Sequence, residues 1–202
     1  MDAAKKLYLA SSNPGKLQEF LAIADSGPAR FSLGLLPGFA GLAPFPEDAP
    51  TFAENAAGKA IYASGLTEEA VCADDSGLVV PSLDGEPGVR SARYAGPGAT
   101  GEENIRKLLG ALAGRSGSDR EGYFVCALAV ARQGRVLTVV SNRADGRILE
   151  SPRGSRGFGY DPVFCFPALG KTFAELSGAE KNLWSHRGKA FRRLSELLPG
   201  ML

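Results

Sequence analysis

The chain has 202 residues, 23 Lys and Arg against 22 Asp and Glu, and a single histidine. This balance excludes a generally basic surface for holding a polyanion, and one histidine excludes a multi-histidine zinc site. Hydrophobic residues at 44% and charged residues at 22% are globular proportions rather than those of a disordered chain. In chain order, Lys6–Ala10 reads as a short buried strand, Ser11–Lys16 as a turn, and Leu17 onward as a helix with Pro14 in its first turn, where a missing N–H does no harm. Phe31–Leu36 reads as a second strand, and a Gly- and Pro-rich loop runs from Pro37 to Pro50. Thr51 opens a second helix with Glu54 as the partner in a T-x-x-E capping box, and Gly65 closes it. Ala70–Ala73 reads as a strand that stops at Asp74-Asp75-Ser76-Gly77, with Leu78–Val80 extended beyond. Glu102–Leu112 is helical. Tyr123–Ala131 and Val136–Ser141 form a hairpin, Gly154–Asp161 is a second Gly-rich loop, and one last helix runs from Ser177 to about Leu197, with Glu180 completing its capping box.

Strands alternating with helices and followed by a hairpin predict an α/β fold with a mixed sheet in a single domain spanning residues 1–202. Gly (26) and Pro (13) are abundant but not periodic, which implies many tight turns. Cys72, Cys126 and Cys165 lie in apolar, strand-like runs without C-x-x-C spacing, so they read as reduced, buried thiols of a cytoplasmic protein. Met1–Ala10 lacks the layout of a signal peptide. The longest uncharged stretch, Phe31–Pro46, is too short and too proline-broken to cross a bilayer.

Four features carry candidate chemistry. Ser11-Ser12-Asn13-Pro14-Gly15-Lys16 leads into a helix N-terminus, where free N–H groups and the helix dipole favour phosphate and Lys16 adds a charge; the alternative is an ordinary helix cap. Asp74 and Asp75 stand side by side at a strand end, and two adjacent acids call for a compensating charge such as Mg²⁺, with Glu54 as a third carboxylate. Because adjacent strand residues point to opposite faces, only one of the two aspartates faces a ligand directly. The alternatives are a capped turn for the aspartates and the reciprocal cap of Thr51 for Glu54. Glycines flank Phe158 in Gly157-Phe158-Gly159-Tyr160-Asp161, which clears an aromatic face for a flat ligand such as a purine and leaves Asp161 to accept from ring N–H groups; the alternative is a tight turn with a core Phe. On the last helix, Leu183, Ala190, Leu194 and Leu197 form an apolar stripe with Arg187 inside it and His186 at its edge, so the guanidinium there must bind a ligand or form an internal salt bridge. Lys181 falls on the other side of that helix and gains no role from periodicity. Gly170-Lys171-Thr172 imitates the end of a P-loop, but Cys165, Phe166 and Pro167 deny it the glycine-lined nest that a triphosphate needs. One histidine and no G-x-S-x-G motif argue against acyl transfer.

These blocks, with Thr51–Ala56, Ala73–Leu78, Ser91-Ala92-Arg93-Tyr94 and Ser185-His186-Arg187-Gly188, occur in an order and spacing that resemble the inosine/xanthosine triphosphate pyrophosphatase family, the Ham1-like house-cleaning enzymes. The resemblance spans nearly the whole chain. It implies an ITPase-like fold, a mixed and twisted sheet flanked by helices with two lobes around a nucleotide cleft. It also implies Mg²⁺-dependent hydrolysis of ITP, dITP and XTP to the monophosphate and pyrophosphate by a homodimer acting on nucleotides, not on nucleic acid or at a membrane. Carried over by motif, Ser11, Ser12, Asn13, Pro14, Gly15 and Lys16 hold the triphosphate and Lys59 contacts phosphates. Asp75 is general base and metal ligand, Glu54 is the second metal ligand, and Ser76 touches substrate. Phe158, Gly159, Tyr160 and Asp161 hold the base, with Lys181, His186 and Arg187 completing the pocket. Arg187, a donor only, suits a 6-keto oxygen and disfavours a 6-amino group. Competing readings are a pyrophosphatase for pyrimidine or modified nucleotides and a non-catalytic nucleotide sensor; intact Asp74, Asp75 and Glu54 argue against the sensor.

Overall fold

The computed structural model describes residues 5–26 and 31–201; the first four positions of the Met1–Ala10 stretch lie outside this range. Seven strands, β1 (Lys5–Ala10), β2 (Phe31–Leu35), β3 (Ala70–Val79), β4 (Glu121–Arg132), β5 (Arg135–Ile148), β6 (Phe164–Phe166) and β7 (Lys171–Thr172), form one sheet in the order β2-β1-β3-β4-β5-β6-β7. β1 runs parallel to β2 and to β3, whereas β5–β6 and β6–β7 are antiparallel, so the sheet is mixed as expected. Five α-helices accompany it: α1 (Pro14–Ser26), α2 (Phe52–Ser64), α3 (Gly101–Ala111), α4 (Gly178–Trp184) and α5 (His186–Leu197). None is long and apolar enough to cross a membrane among the described residues.

The chain divides into two compact units, one made of the segments through Asp75, Cys126–Asn142 and Arg187 onward, the other of Ser76–Val125 and Arg143–His186. In the first unit, strand alternation sorts the side chains. Leu7, Leu9, Ala70 and Cys72 join Phe20 and Ile23 of α1 and Ala190, Phe191 and Leu194 of α5 in one cluster. The intervening Ala10, Val71 and Ala73 join Ala127, Ala129 and Ala131 of β4 and Ala56, Ala60 and Ala63 of α2 in another. Alanine on both surfaces of this second layer lets α2 lie close to the strands. The second unit packs Leu78, Val80, Phe124, Ile148 and Phe164 against Ile105, Leu108 and Leu112 of α3. Phe124, Phe164 and Phe173 cluster within it, the tilted Phe124–Phe164 pair with centroids 4.6 Å apart.

Four local expectations are corrected. β3 does not stop at Asp74 but continues to Val79, because Lys16, Lys59 and Asn55 meet the two aspartates and remove the reason for the strand to end. β4 and β5 are joined by Gln133 and Gly134 alone, both at positive φ, so the hairpin is tighter and β5 longer than the pattern implied. The last helix is two helices, since Ser185 is extended (φ −69°, ψ 157°) between α4 and α5. The wheel drawn across that break fails on its N-terminal side, where Leu183 is 56% exposed, while Ala190 and Leu194 are buried as expected. Cys72 and Cys126 are buried free thiols, but Cys165, on the short β6, is only half-buried.

Candidate active site

The two aspartates face different partners because they alternate on β3. Asp74 follows Ala70 and Cys72 onto the α1/α5 side, and Asp75 follows Val71 and Ala73 onto the α2 side. Asp74, 1% exposed, forms a 2.8 Å ion pair with Lys16 of α1. Burial alone pushes the Asp74 carboxyl up, but Lys16, Arg187 and Lys59 outweigh it and hold it below the usual carboxylate range. Arg187 opens α5 and is paired with Glu19 of α1, so the internal salt bridge is realised on a guanidinium that also faces the charge of Asp74.

Asp75, 5% exposed, is pushed up to about 6, first by burial and then by the charge of Glu47, against the pull of Lys16, Lys59 and a hydrogen bond from Asn55. Lys59 of α2 is ion-paired with Glu47 and donates to the Asp74 carbonyl at 2.9 Å. Burial lowers its affinity for a proton, yet Asp74, Glu47 and Asp75 more than restore it. The carboxylate whose charge acts on Asp75 is Glu47. Glu54 is exposed, and its Oε2 accepts from the Thr51 hydroxyl at 2.7 Å while the Glu54 N–H donates to Thr51 Oγ1. It keeps the capping role, although the reciprocal bond to the Thr51 backbone is replaced by one to the hydroxyl.

Sequence reasoning missed Glu47 because it lies in the Pro-rich loop, which has no period. The signal that finds it sits in α2: Asn55, Gly58, Lys59 and Tyr62 share one helical stripe. Tyr62 donates to the Ala43 carbonyl at 3.2 Å. Gly58 leaves room for the Phe45 ring, which would meet any Cβ there. Lys59 takes Glu47 and Asn55 bonds Ala49. The loop thus runs antiparallel along α2, pinned residue by residue.

Ahead of α1, Asn13 caps the helix, its Oδ1 accepting from the Lys16 N–H at 3.1 Å, and Ser11 Oγ accepts from the Asn13 N–H at 3.3 Å. Ser12, Asn13 and Pro14 are exposed and Gly15 is half-buried. The cap is thus real, and the same turn presents hydroxyls beside Lys16.

In the second unit, Asp161 organises the Gly-rich loop. Its carboxylate accepts from the Phe158 N–H at 2.9 Å and is ion-paired with Lys181 of α4. Gly157, at φ +74°, has no room for a Cβ beside that carboxylate. Lys181 Nζ stands 5.0 Å from the half-buried Phe158 ring, a cation over an aromatic face. Lys181 is only 4% exposed, so the wheel of a single last helix does not place it; it belongs to the separate helix α4. Gly159 approaches Gly101 of α3, and Tyr160 donates to the Ser91 carbonyl at 2.9 Å. Ser91 in turn accepts from the Leu78 N–H at 2.9 Å, two residues beyond Ser76. His186 is stacked on Phe124 with centroids 4.7 Å apart. The loop therefore offers an aromatic face with a fixed cation and a fixed carboxylate.

Among the described residues no group of three or more metal-ligating side chains clusters. The donors of the first unit still fit a hard divalent cation. Asp75 and Glu47 offer two carboxylates, the charge of Glu47 raising Asp75, and Mg²⁺ characteristically takes one or two carboxylates and completes its shell with phosphate oxygens and water.

The Ham1 family profile matches residues 7–197. The chain is 50% identical over 193 residues to the dITP/XTP pyrophosphatase of Geobacillus kaustophilus, covering 95% of this chain and 93% of that protein. It is 48% identical over 188 residues to the protein of the same name from Gloeobacter violaceus, covering 93% and 91%. Among solved structures, a HAM1 protein from Coxiella burnetii superposes with a TM-score of 0.85 at 38% identity, covering 97% of this chain and 99% of that one. The Staphylococcus aureus Ham1 protein gives 0.83 at 37% with the same coverage.

Proposed function

Since the chain belongs to the Ham1 family, we propose that it is a nucleoside triphosphate pyrophosphatase that hydrolyses dITP, XTP and ITP to the monophosphate and pyrophosphate, with Mg²⁺ as cofactor. The names of its relatives support the deaminated purine as substrate. The observation that carries the reading is the environment of Asp75, a buried carboxylate at about 6, flanked by the cations Lys16 and Lys59.

In this reading Lys16, Lys59 and the Ser11–Gly15 turn take the charge of the triphosphate. Asp75 and Glu47 would hold the metal ion, which when bound would supply Lewis-acid charge neutralisation. Asp75, buried between Lys16 and Lys59, takes a proton from a water aimed at the α-phosphorus and so serves as the general base. Lys59 and Lys16 then face the charge that builds on the leaving pyrophosphate. Asp74 takes no proton: held ionised by Lys16, it aims that lysine. Phe158 offers the stacking face for the purine, and Asp161 and Lys181, fixed by one another, offer an acceptor and a donor at its edge. Arg187, paired with Glu19, keeps a further donor role toward a 6-keto oxygen.

The test is pyrophosphate release from dITP, XTP, ITP, GTP and ATP with and without Mg²⁺. Release from the first three, dependent on Mg²⁺ and weak with ATP, is expected; tight binding of dITP without release would instead mark a sensor. A homodimer in the cytoplasm completes the reading on family likeness, and light scattering of the purified chain checks the pairing.

A further inference from the structure

We propose that Asn55 is a positioning residue that locks the catalytic carboxylate of Asp75 and the Glu47-bearing loop into one unit, a role that rests on the functional reading above. Asn55 sits in the first turns of α2 and is 1% exposed. Its Nδ2 donates to Asp75 Oδ2 at 3.0 Å and to the Ala49 carbonyl at 3.4 Å, while its Oδ1 accepts from the Ala49 N–H at 3.0 Å. One side-chain amide therefore spends both donors and one acceptor on two targets. Toward Ala49 it imitates a strand neighbour, meeting a backbone N–H and C=O together. Toward Asp75 it occupies one carboxylate oxygen and so sets the direction of the other. Only this orientation of the amide works, because an N–H must face a carboxylate and an oxygen must face the Ala49 N–H.

The chemistry of the site requires such a clamp. The charge of Glu47 raises the cost of ionising Asp75, and Glu47 arrives on a loop with no secondary structure at its position. Lys59 draws the two together by charge, but an ammonium has no plane, whereas a planar amide fixes direction. Groups behind a metal-binding carboxylate typically contribute 10–100-fold to affinity or rate. Asn55 does not touch the reacting atoms; it acts through Asp75 and Ala49.

Two variants of the full chain separate this role from simple packing. Asn55→Ala removes both ties. Asn55→Asp keeps an oxygen for the Ala49 N–H but offers Asp75 a carboxylate instead of a donor. With dITP, both are expected to lose about 10–100-fold in kcat per folded molecule with KM changed by less than about threefold. Amide hydrogen exchange at Ala49 is expected to accelerate in Asn55→Ala and to stay slow in Asn55→Asp. A kcat within about twofold of the unmodified chain in both variants, with only Tm reduced, would overturn the positioning role. Unchanged Ala49 exchange in Asn55→Ala would overturn the tie to the loop. Absence of pyrophosphate release by the unmodified chain would instead overturn the functional reading, and the exchange measurement would still judge the clamp by itself. Circular dichroism confirms that each variant folds, and Asn55→Ser replaces Asn55→Ala if the latter does not.

Discussion

Lys16 and Asp74 are tied by a 2.8 Å ion pair in which Asp74 is almost wholly buried, so the direction of the lysine is set by an acid inside the fold. Lys16→Met removes the nearest cation from that carboxylate. Taking one partner from a buried pair typically costs about 3–5 kcal/mol, and Arg187 and Lys59, which also act on Asp74, pull the loss toward the lower end. Asp74→Asn is expected to be milder in stability and to raise KM through a misdirected Lys16. Because the folded Asp74 carboxyl lies below its unfolded value, its contribution is present above about pH 4 and is lost as the pH falls through the lowered value. The acid limb of the stability curve is therefore expected to flatten in Asp74→Asn, as read by Tm between pH 3 and 6.

Asp75 has the opposite sign. Its folded value of about 6 stands above the unfolded 3.8, so the folded protein binds the extra proton between these values and loses stability as pH rises through the window. Full ionisation costs up to about 3 kcal/mol. In metal-free buffer Asp75→Asn is expected to raise Tm at pH 7.5, to leave it nearly unchanged at pH 4, and to abolish turnover. Equal Tm shifts at both pH values would contradict this account.

On the proposed reading, Glu47 holds the metal ion and Glu54 only caps α2. Glu47→Gln is expected to lower the Mg²⁺-supported rate by at least about 100-fold and raise the Mg²⁺ needed for half-maximal rate. Glu54→Gln weakens only a cap, costing about 0.5–1 kcal/mol with turnover near normal. Titrating Mg²⁺ against both variants in one assay decides between the carboxylates.

Gly157 tests the base-facing loop separately from the phosphates. A Cβ at φ +74° would collide with the Asp161 carboxylate, which in turn holds the Phe158 N–H and Lys181. Gly157→Ala is expected to raise KM for dITP by at least about tenfold while inhibition by inorganic tripolyphosphate, which has no base, stays within about twofold. Equal weakening of both ligands would show that the loop does not act through the purine.

The sequence showed most of the frame, because period and caps are local. α1 begins at Pro14, α2 follows Thr51 and ends before Gly65, and alternation along β3 already implied that Asp74 and Asp75 part company. What stayed hidden depends on distant partners. The strand runs through two acids only because cations from α1 and α2 meet them. Glu47 joins Asp75 through contacts along one stripe of α2, whose partners lie on a loop without period. Thr100 and Glu103 complete a capping box before α3 that went unnoticed among the Gly and Pro of that segment. Lys181 and Leu183 were misplaced by a single extended residue, Ser185, which no propensity distinguishes from a helical serine.

The ladder of contacts from Tyr62 to Asn55 follows a segment that contains Pro44, Pro46 and Pro50. Proline narrows the conformations open to a chain before it folds, so little freedom remains to be surrendered when this stretch lies down along the helix. The acid at its centre is held to α2 by Lys59. Encounter with a nucleotide should then proceed without a slow ordering step at this end of the molecule, leaving the speed of capture to diffusion and charge.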